Sequence, residues 1–309
     1  MPSLLRSWPR LGAFLSVLLL ATAAHAAPLQ VVTTTTMVTD LVSHVGGNRV
    51  SITGLMGAGV DPHLYKPTAA DVTRLQRAQV IFFSGLHLEG RMAELFERLG
   101  KGGKKVHAVT SSIPEARLLR PAEFEGQFDP HVWGDAELWA LCIDSVVKGL
   151  SAADPAGKAD FEQRGEAYKA ELVKLHQWAI KRAGTLPEKQ RILITSHDAF
   201  NYLGRAYGFK VVGVQGISTV TEAGLADIAK VVDFIKTNGI KAIFVESSVP
   251  RAAIERISKD SGAKIGGELF SDAMGAAGTK VTVQGETYDE GTYDGMLRHN
   301  INTVVEALK

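Results

Sequence analysis

Cysteine is almost absent from this 309-residue chain. Cys142 stands alone, so no internal disulfide can form and none holds the fold. Neither sign of charge is in excess: 34 Lys+Arg against 33 Asp+Glu leave a net +1, which makes no electrostatic case for a nucleic-acid partner. Beyond the N-terminus, no apolar run is long enough to span a membrane. Local C-x-x-C, H-E-x-x-H and EF-hand spacings are missing too. What is there is an ordinary globular composition, 45% hydrophobic and 22% charged, which excludes disorder, collagen and coiled coil as the main state. At about 150 residues per domain the length suggests two domains, each with material for a core.

The first residues read as an address. Arg6 and Arg10 precede an apolar run from Leu11 to Ala24, and Ala24-His25-Ala26 follows. This is the n-region, h-region and A-x-A site of a secretory signal peptide, and the run is short of the ~20 residues of a spanning helix. Residues 1–26 are therefore expected to be cleaved, giving a soluble periplasmic product. No cysteine stands directly after the cleavage site, so no lipid anchor is expected there.

Apolar, β-branched runs fall at Leu29–Thr36, Val50–Met56, Val80–Ser84 and Lys105–Val109, and again at Arg191–Ser196, Lys210–Gln215, Ala242–Ser247 and Lys264–Phe270. Helix-like segments separate them. Alternation of this kind predicts α/β lobes, each with a roughly four-stranded parallel sheet flanked by helices. The halves also resemble each other in order: Ala70-Asp71-Val72 leads into Val80-Ile-Phe-Phe, and Ala226-Asp227-Ile228 leads into Ala242-Ile-Phe-Val. Between them, Phe161, Tyr168, Leu172, Leu175 and Ala179 share one helical face, from Asp154-Pro155 to Gly184 and Pro187. One long spine helix is expected there, stiff enough to limit how far two lobes swing. The predicted layout is 27–150 for the first lobe, 151–187 for the spine and 188–309 for the second lobe.

Histidine carries the chemistry. Asp61-Pro62-His63 and Asp129-Pro130-His131 repeat one tripeptide after glycine-bearing loops, and proline stiffens each. His197 follows the strand ending at Ser196, and Asp272 follows the strand ending at Phe270. Carboxyl ends of strands form the crevice of open α/β sheets, so a cleft between two lobes could collect all four. Three imidazoles and one carboxylate suit Zn²⁺, and less selectively Mn²⁺ or Fe²⁺. Ligand histidines must be neutral, so binding is expected to weaken on acidification through about pH 6.

Asp61-Pro-His-Leu-Tyr-Lys-Pro-Thr68, Asp129-Pro-His-Val-Trp133, Thr195-Ser-His-Asp-Ala-Phe200 and Phe270-Ser-Asp-Ala-Met-Gly275 occur in order. Together they resemble the zinc/manganese solute-binding proteins of bacterial ABC importers, the cluster A-I, TroA-like group. Val245-Glu-Ser-Ser-Val249 and Tyr293-Asp-Gly-Met-Leu-Arg-His-Asn300 also look like that family. The resemblance spans essentially the whole mature chain. It implies two lobes joined by a long helix, a metal held between them by His63, His131, His197 and Asp272, and delivery to an inner-membrane ABC permease by a monomer. Histidine rather than glutamate at position 197 leans toward zinc. The histidine-free segment Ser111–Phe128, where many zinc-specific members carry a histidine-rich loop, allows a mixed-metal member.

The other candidates carry less. Glu246 ends a strand and is the best spare carboxylate, a candidate to support a ligand histidine. His87 is placed on the cleft rim, His107 on a solvated basic edge and His176 beside the spine's apolar stripe. His44 and His299 sit on helices with no partner in view, and Cys142 reads as a small buried apolar residue. Two competing functions remain open: a zinc-dependent hydrolase using the same cluster, with Glu246 as base, and a receptor for an organic anion at helix N-termini.

Overall fold

The computed structural model describes residues 27–122, 124 and 126–309. The leader, residues 1–26, lies outside the described residues. In the first lobe, strands β1 (Leu29–Thr33), β2 (Val50–Gly54), β3 (Val80–Phe83) and β4 (Lys105–Ala108) form one parallel sheet in the order β2-β1-β3-β4. Leu29 lies opposite Val50, and Val31 opposite Val80. Parallel neighbours need crossovers, and helices α1 (Thr36–Gly46), α2 (Ala69–Arg77) and α3 (Ala93–Lys101) fall between the strands.

Alternate strand residues go to opposite faces. Val31, Val80 and Phe82 join Val38, Leu41 and Val45 of α1 in one core. Val32 and Ile81 join Leu75, Met92 and Phe96 in another. Cover on both faces is why the strands read as nearly unbroken apolar runs. β1 ends three residues sooner than the run Leu29–Thr36 suggested. Thr35 leaves the strand to cap α1, its side chain accepting the Val38 N–H.

Helices α4 (Ala136–Ala140) and α5 (Cys142–Ala153) lead to the spine. Cys142 is fully buried in α5 beside Ile143, the apolar role read from the sequence. Pro155–Gly157 makes a 3-10 turn, with the Asp154 carboxylate accepting the Gly157 N–H at 3.2 Å. The spine, α6 (Lys158–Ala183), then runs unbroken for 26 residues, about 39 Å at ~1.5 Å per residue. Its buried stripe is the expected one, from Phe161 through Ala179. Gly165 does not interrupt it. A Cβ there would come within 2.8 Å of Val147, so this glycine lets α5 lie close.

The second lobe repeats the plan. β5 (Ile192–Thr195) pairs in parallel with β6 (Lys210–Gly213), and β7 (Ala242–Glu246) with β8 (Lys264–Leu269). β5 and β7 lie side by side, so the order β6-β5-β7-β8 echoes β2-β1-β3-β4. Here the four strands expected of one sheet form two separate ladders. At the ends of β5 and β7 a side chain makes the link instead, the Glu246 carboxylate taking the His197 backbone N–H. Helices α7 (Asn201–Tyr207), α8 (Leu225–Asn238) and α9 (Ala252–Ser261) complete the crossovers.

One element was not foreseen. β9 (Lys280–Val283) and β10 (Glu286–Asp289) form an antiparallel hairpin. Gln284 and Gly285 turn it, both at positive φ, as a two-residue primed turn requires. Finally α10 (Tyr293–Leu308) packs on the spine, where Arg182 Nε donates to Asn302 at 2.7 Å.

Candidate metal centre

The two Asp-Pro-His tripeptides fold alike. In each, the aspartate carboxylate accepts the backbone N–H of the histidine two residues on, at 2.8 Å for Asp61 and His63 and 2.9 Å for Asp129 and His131. That closes an Asx turn, and the proline between fixes its φ. The turn, rather than the proline alone, aims the ring; the aspartates had no assigned part in the sequence reading.

Asp129 goes further. Its Oδ1 also accepts Nδ1–H of His131 at 2.7 Å, and its Oδ2 accepts Asn201 Nδ2–H at 3.2 Å. In the second lobe Glu246 does the same for His197, taking its backbone N–H at 2.8 Å and its Nδ1–H at 2.5 Å. This is the support role the sequence suggested for Glu246. With Nδ1 holding the proton, each ring presents the Nε2 lone pair. Asn300 of α10 clamps the loop after β8 by accepting the Phe270 N–H at 2.9 Å and donating to its carbonyl at 2.7 Å. Two residues later Asp272 enters the cluster.

All four side chains meet. His63 Nε2 lies 3.3 Å from His131 Nε2, His131 Nε2 lies 3.3 Å from Asp272 Oδ1, and His197 Nε2 lies 3.3 Å from Asp272 Oδ2. A tetrahedral ion with bonds of ~2.1 Å separates its ligand atoms by roughly 3.4 Å. One donor atom from each residue falls within a 4.8 Å cluster. His131, His197 and Asp272 are buried, and His63 is 5% exposed. His197 Nε2 and both Asp272 oxygens are buried without a hydrogen-bond partner. Such atoms are expensive unless something else satisfies them, and a cation does.

The electrostatics divide the cluster. Burial, reinforced by His131 and His197, pushes His63 down to about 3, so its imidazole is neutral. At His131 burial opposes charge, but Asp129 and Asp272 outweigh it and lift the group to about 9. His197 is likewise raised, Glu246 and Asp272 overcoming burial. Asp272 is held well below the carboxylate range, because the histidines around it overcome its burial.

The remaining histidines lie elsewhere. His87 stands in the left-handed region at φ 63° and lines a separate 620 Å³ cavity with Phe83, Phe96 and Phe128. His107 sits in β4, an edge strand of the first sheet, but half-buried rather than solvated, its ring tilted over Phe82 with centroids 5.5 Å apart. His44 stacks on Tyr168 at 3.8 Å, and His299 Nδ1 meets Glu290 at 2.7 Å, so both have partners the sequence did not reveal. His176 lies near Asp135 and Glu137. In that group Arg117 bonds Glu137 at 3.1 Å and Arg205 approaches Asp135 to 3.8 Å, so its negative charge is already matched.

Residues 31–307 match the family described as "Zinc-uptake complex component A periplasmic". The chain belongs to this family. The manganese-binding lipoprotein MntA of Bacillus subtilis is 44% identical over 91% of this chain and 90% of its own. The zinc-binding protein TroA of Treponema pallidum is 45% identical over 93% of this chain and 90% of its own. The solved TroA structure superposes with a TM-score of 0.85, covering 91% of this chain and 99% of that one. The iron ABC transporter substrate-binding lipoprotein MtsA of Streptococcus pyogenes is 32% identical over 96% of this chain and 97% of its own.

Proposed function

We propose that this protein captures a divalent transition metal at His63, His131, His197 and Asp272 and delivers it to an ABC permease for uptake. The observation that carries this is the buried cluster of four side chains with ligand atoms spaced at 3.3 Å, as along the edges of a metal polyhedron, with His197 Nε2 and both Asp272 oxygens left without a hydrogen-bond partner. Asp272 cancels one of the two charges of the cargo, and the neutral imidazoles supply the rest of the shell. The chemistry is capture and release, with no bond made or broken.

MntA is named for manganese, TroA for zinc and MtsA for iron, and the donor set accommodates all three. Zinc is favoured by the three imidazoles. Both Asp272 oxygens face the cluster, so the site offers four donors with one oxygen or five with both. The product is proposed to act as a periplasmic monomer after cleavage near Ala26. Its lone cysteine is buried in α5, which supports a protein without a lipid anchor, unlike the relatives named as lipoproteins.

A hydrolase would need a base beside an open coordination position. Glu246 was the candidate, and both its oxygens are engaged by His197. An organic anion would need a void, whereas the donor atoms stand within 4.8 Å of one another, room for a single ion. The deciding experiment is a competition titration of chelator-stripped protein with Zn²⁺ and Mn²⁺ at neutral pH. One tight site supports the proposal, and the affinity ratio gives the cargo. Failure to bind either ion tightly overturns it.

A further inference from the structure

The two Asp-Pro-His turns begin alike and end differently. Asp129 Oδ1 holds both the backbone and Nδ1 of His131, and Asn201 and Tyr202 of the second lobe fix Asp129 in turn, at 3.2 Å to its Oδ2 and 3.0 Å to its carbonyl. Asp61 holds only the backbone of His63. Its other oxygen, Oδ2, crosses the cleft and accepts the Thr219 hydroxyl at 2.6 Å. Among the described residues, this is the loop's one side-chain hydrogen bond to the second lobe, counting residues 57–66. Thr219 stands in the loop between β6 and α8 and is 6% exposed. The next residues in each chain segment, Leu64 beyond His63 and Val220 beyond Thr219, are 42% and 58% exposed. The contact therefore lies just beneath the surface.

We infer that Thr219 is a positioning residue that sets how long the metal stays bound. It acts through Asp61: while its hydroxyl holds Oδ2, the carboxylate stays oriented with Oδ1 on the His63 N–H, and the turn keeps the ring in the cluster. His131 and His197 each have a carboxylate on Nδ1, whereas the His63 loop depends on this single cross-lobe bond. Breaking it frees the Asp61 carboxylate and with it the His63 turn, while the other three ligands keep their anchors. A neutral donor to a carboxylate is the stronger class of side-chain hydrogen bond, so its removal should be visible in kinetics.

The inference rests on the proposed metal site, and the experiment separates the two. Full-length mature protein is loaded with Zn²⁺ and mixed rapidly with excess chelator; association is measured separately with a zinc-responsive dye. Wild-type protein that binds no zinc rejects the site itself. If wild type binds, Thr219→Val, which keeps the branched shape and deletes the hydroxyl, should release zinc roughly tenfold faster with association within about twofold of wild type. Thr219→Ser should restore slow release. The metal-free melting temperature of Thr219→Val should fall only as far as one lost hydrogen bond requires, and the faster release with unchanged association is what a merely structural hydroxyl would not produce. Equal release from Thr219→Val and wild type overturns the inference, as does fast release from Thr219→Ser. A parallel loss of metal-free stability and of association also overturns it.

Discussion

Glu246 grips His197 at two points, Oε1 on its backbone N–H at 2.8 Å and Oε2 on its Nδ1–H at 2.5 Å. The carboxylate is buried at the last position of β7, so the grip is rigid. Substitution of groups that orient a ligand histidine costs typically 10–100-fold in metal affinity. Glu246→Gln keeps the volume but has only one accepting atom for the two donors. Its zinc affinity should fall by about tenfold or more in a competition titration. An unchanged affinity would show that strand geometry alone orients the ring.

Proton competition follows from the same carboxylates. His131 is raised to about 9 against its burial by Asp129 and Asp272, and His197 is raised as well. A raised pKa means that the proton is held through neutral pH and lost only as pH climbs through the shifted value. Metal must displace it. Affinity should therefore rise from pH 6 toward pH 9, approaching tenfold per pH unit for each proton displaced. Binding at pH 7 should release protons, seen in calorimetry as a heat that varies with the buffer. This places the window above the pH 6 expected of an ordinary histidine. Flat affinity between pH 7 and 9 would contradict it.

Removing a ligand should be costly. Structural four-ligand zinc sites are worth about 10–16 kcal/mol, or roughly 3 kcal/mol per ligand, so His63→Ala should lose on the order of a hundredfold in affinity. Its metal-free melting temperature should change little, because His63 sits in a loop and its burial keeps it uncharged. Wild type saturated at ~1,000 times its dissociation constant should gain about 4 kcal/mol of stability, and His63→Ala at the same zinc concentration much less. Undiminished zinc binding by His63→Ala would remove His63 from the site.

Ligand type should steer the choice of ion. His197→Glu replaces an imidazole with a harder oxygen donor, which favours Mn²⁺ relative to Zn²⁺. The Zn/Mn affinity ratio should therefore fall, although Glu246 would then face a like charge and overall affinity should drop. A ratio equal to wild type would mean that the selecting feature lies elsewhere.

The four meeting side chains were legible because their motifs are local and ordered along the chain. Strand periodicity was legible for a related reason: Val31 and Val32, or Ile81 and Phe82, serve opposite cores, and both are apolar. Asp61 and Asp129 stand within the motifs, but their roles depend on tertiary neighbours, Thr219 for one and Asn201 for the other. His107 lies on the edge strand that Lys104 and Lys105 suggest, but pairing opposite Phe82 half-buries its ring, which no local signal shows. The hairpin was missed although Val281-Thr-Val-Gln-Gly carries its alternation and glycine. The separate ladders of the second lobe had no local signal, since strand pairing is settled by packing between distant segments.

The unbroken α6, tied closely to α5 at Gly165 and to α10 at Arg182, has a consequence for ions the protein meets in far greater supply. Calcium bonds oxygen at 2.3–2.6 Å and gathers six to eight such ligands. This cluster offers two oxygens at most, both from Asp272, beside three imidazole nitrogens, and so falls well short of such a shell. Lobes free to part could admit waters or further carboxylates to complete it; lobes pinned along one rod cannot do so cheaply. By holding the donor number low, the spine should leave zinc binding unchanged in excess calcium.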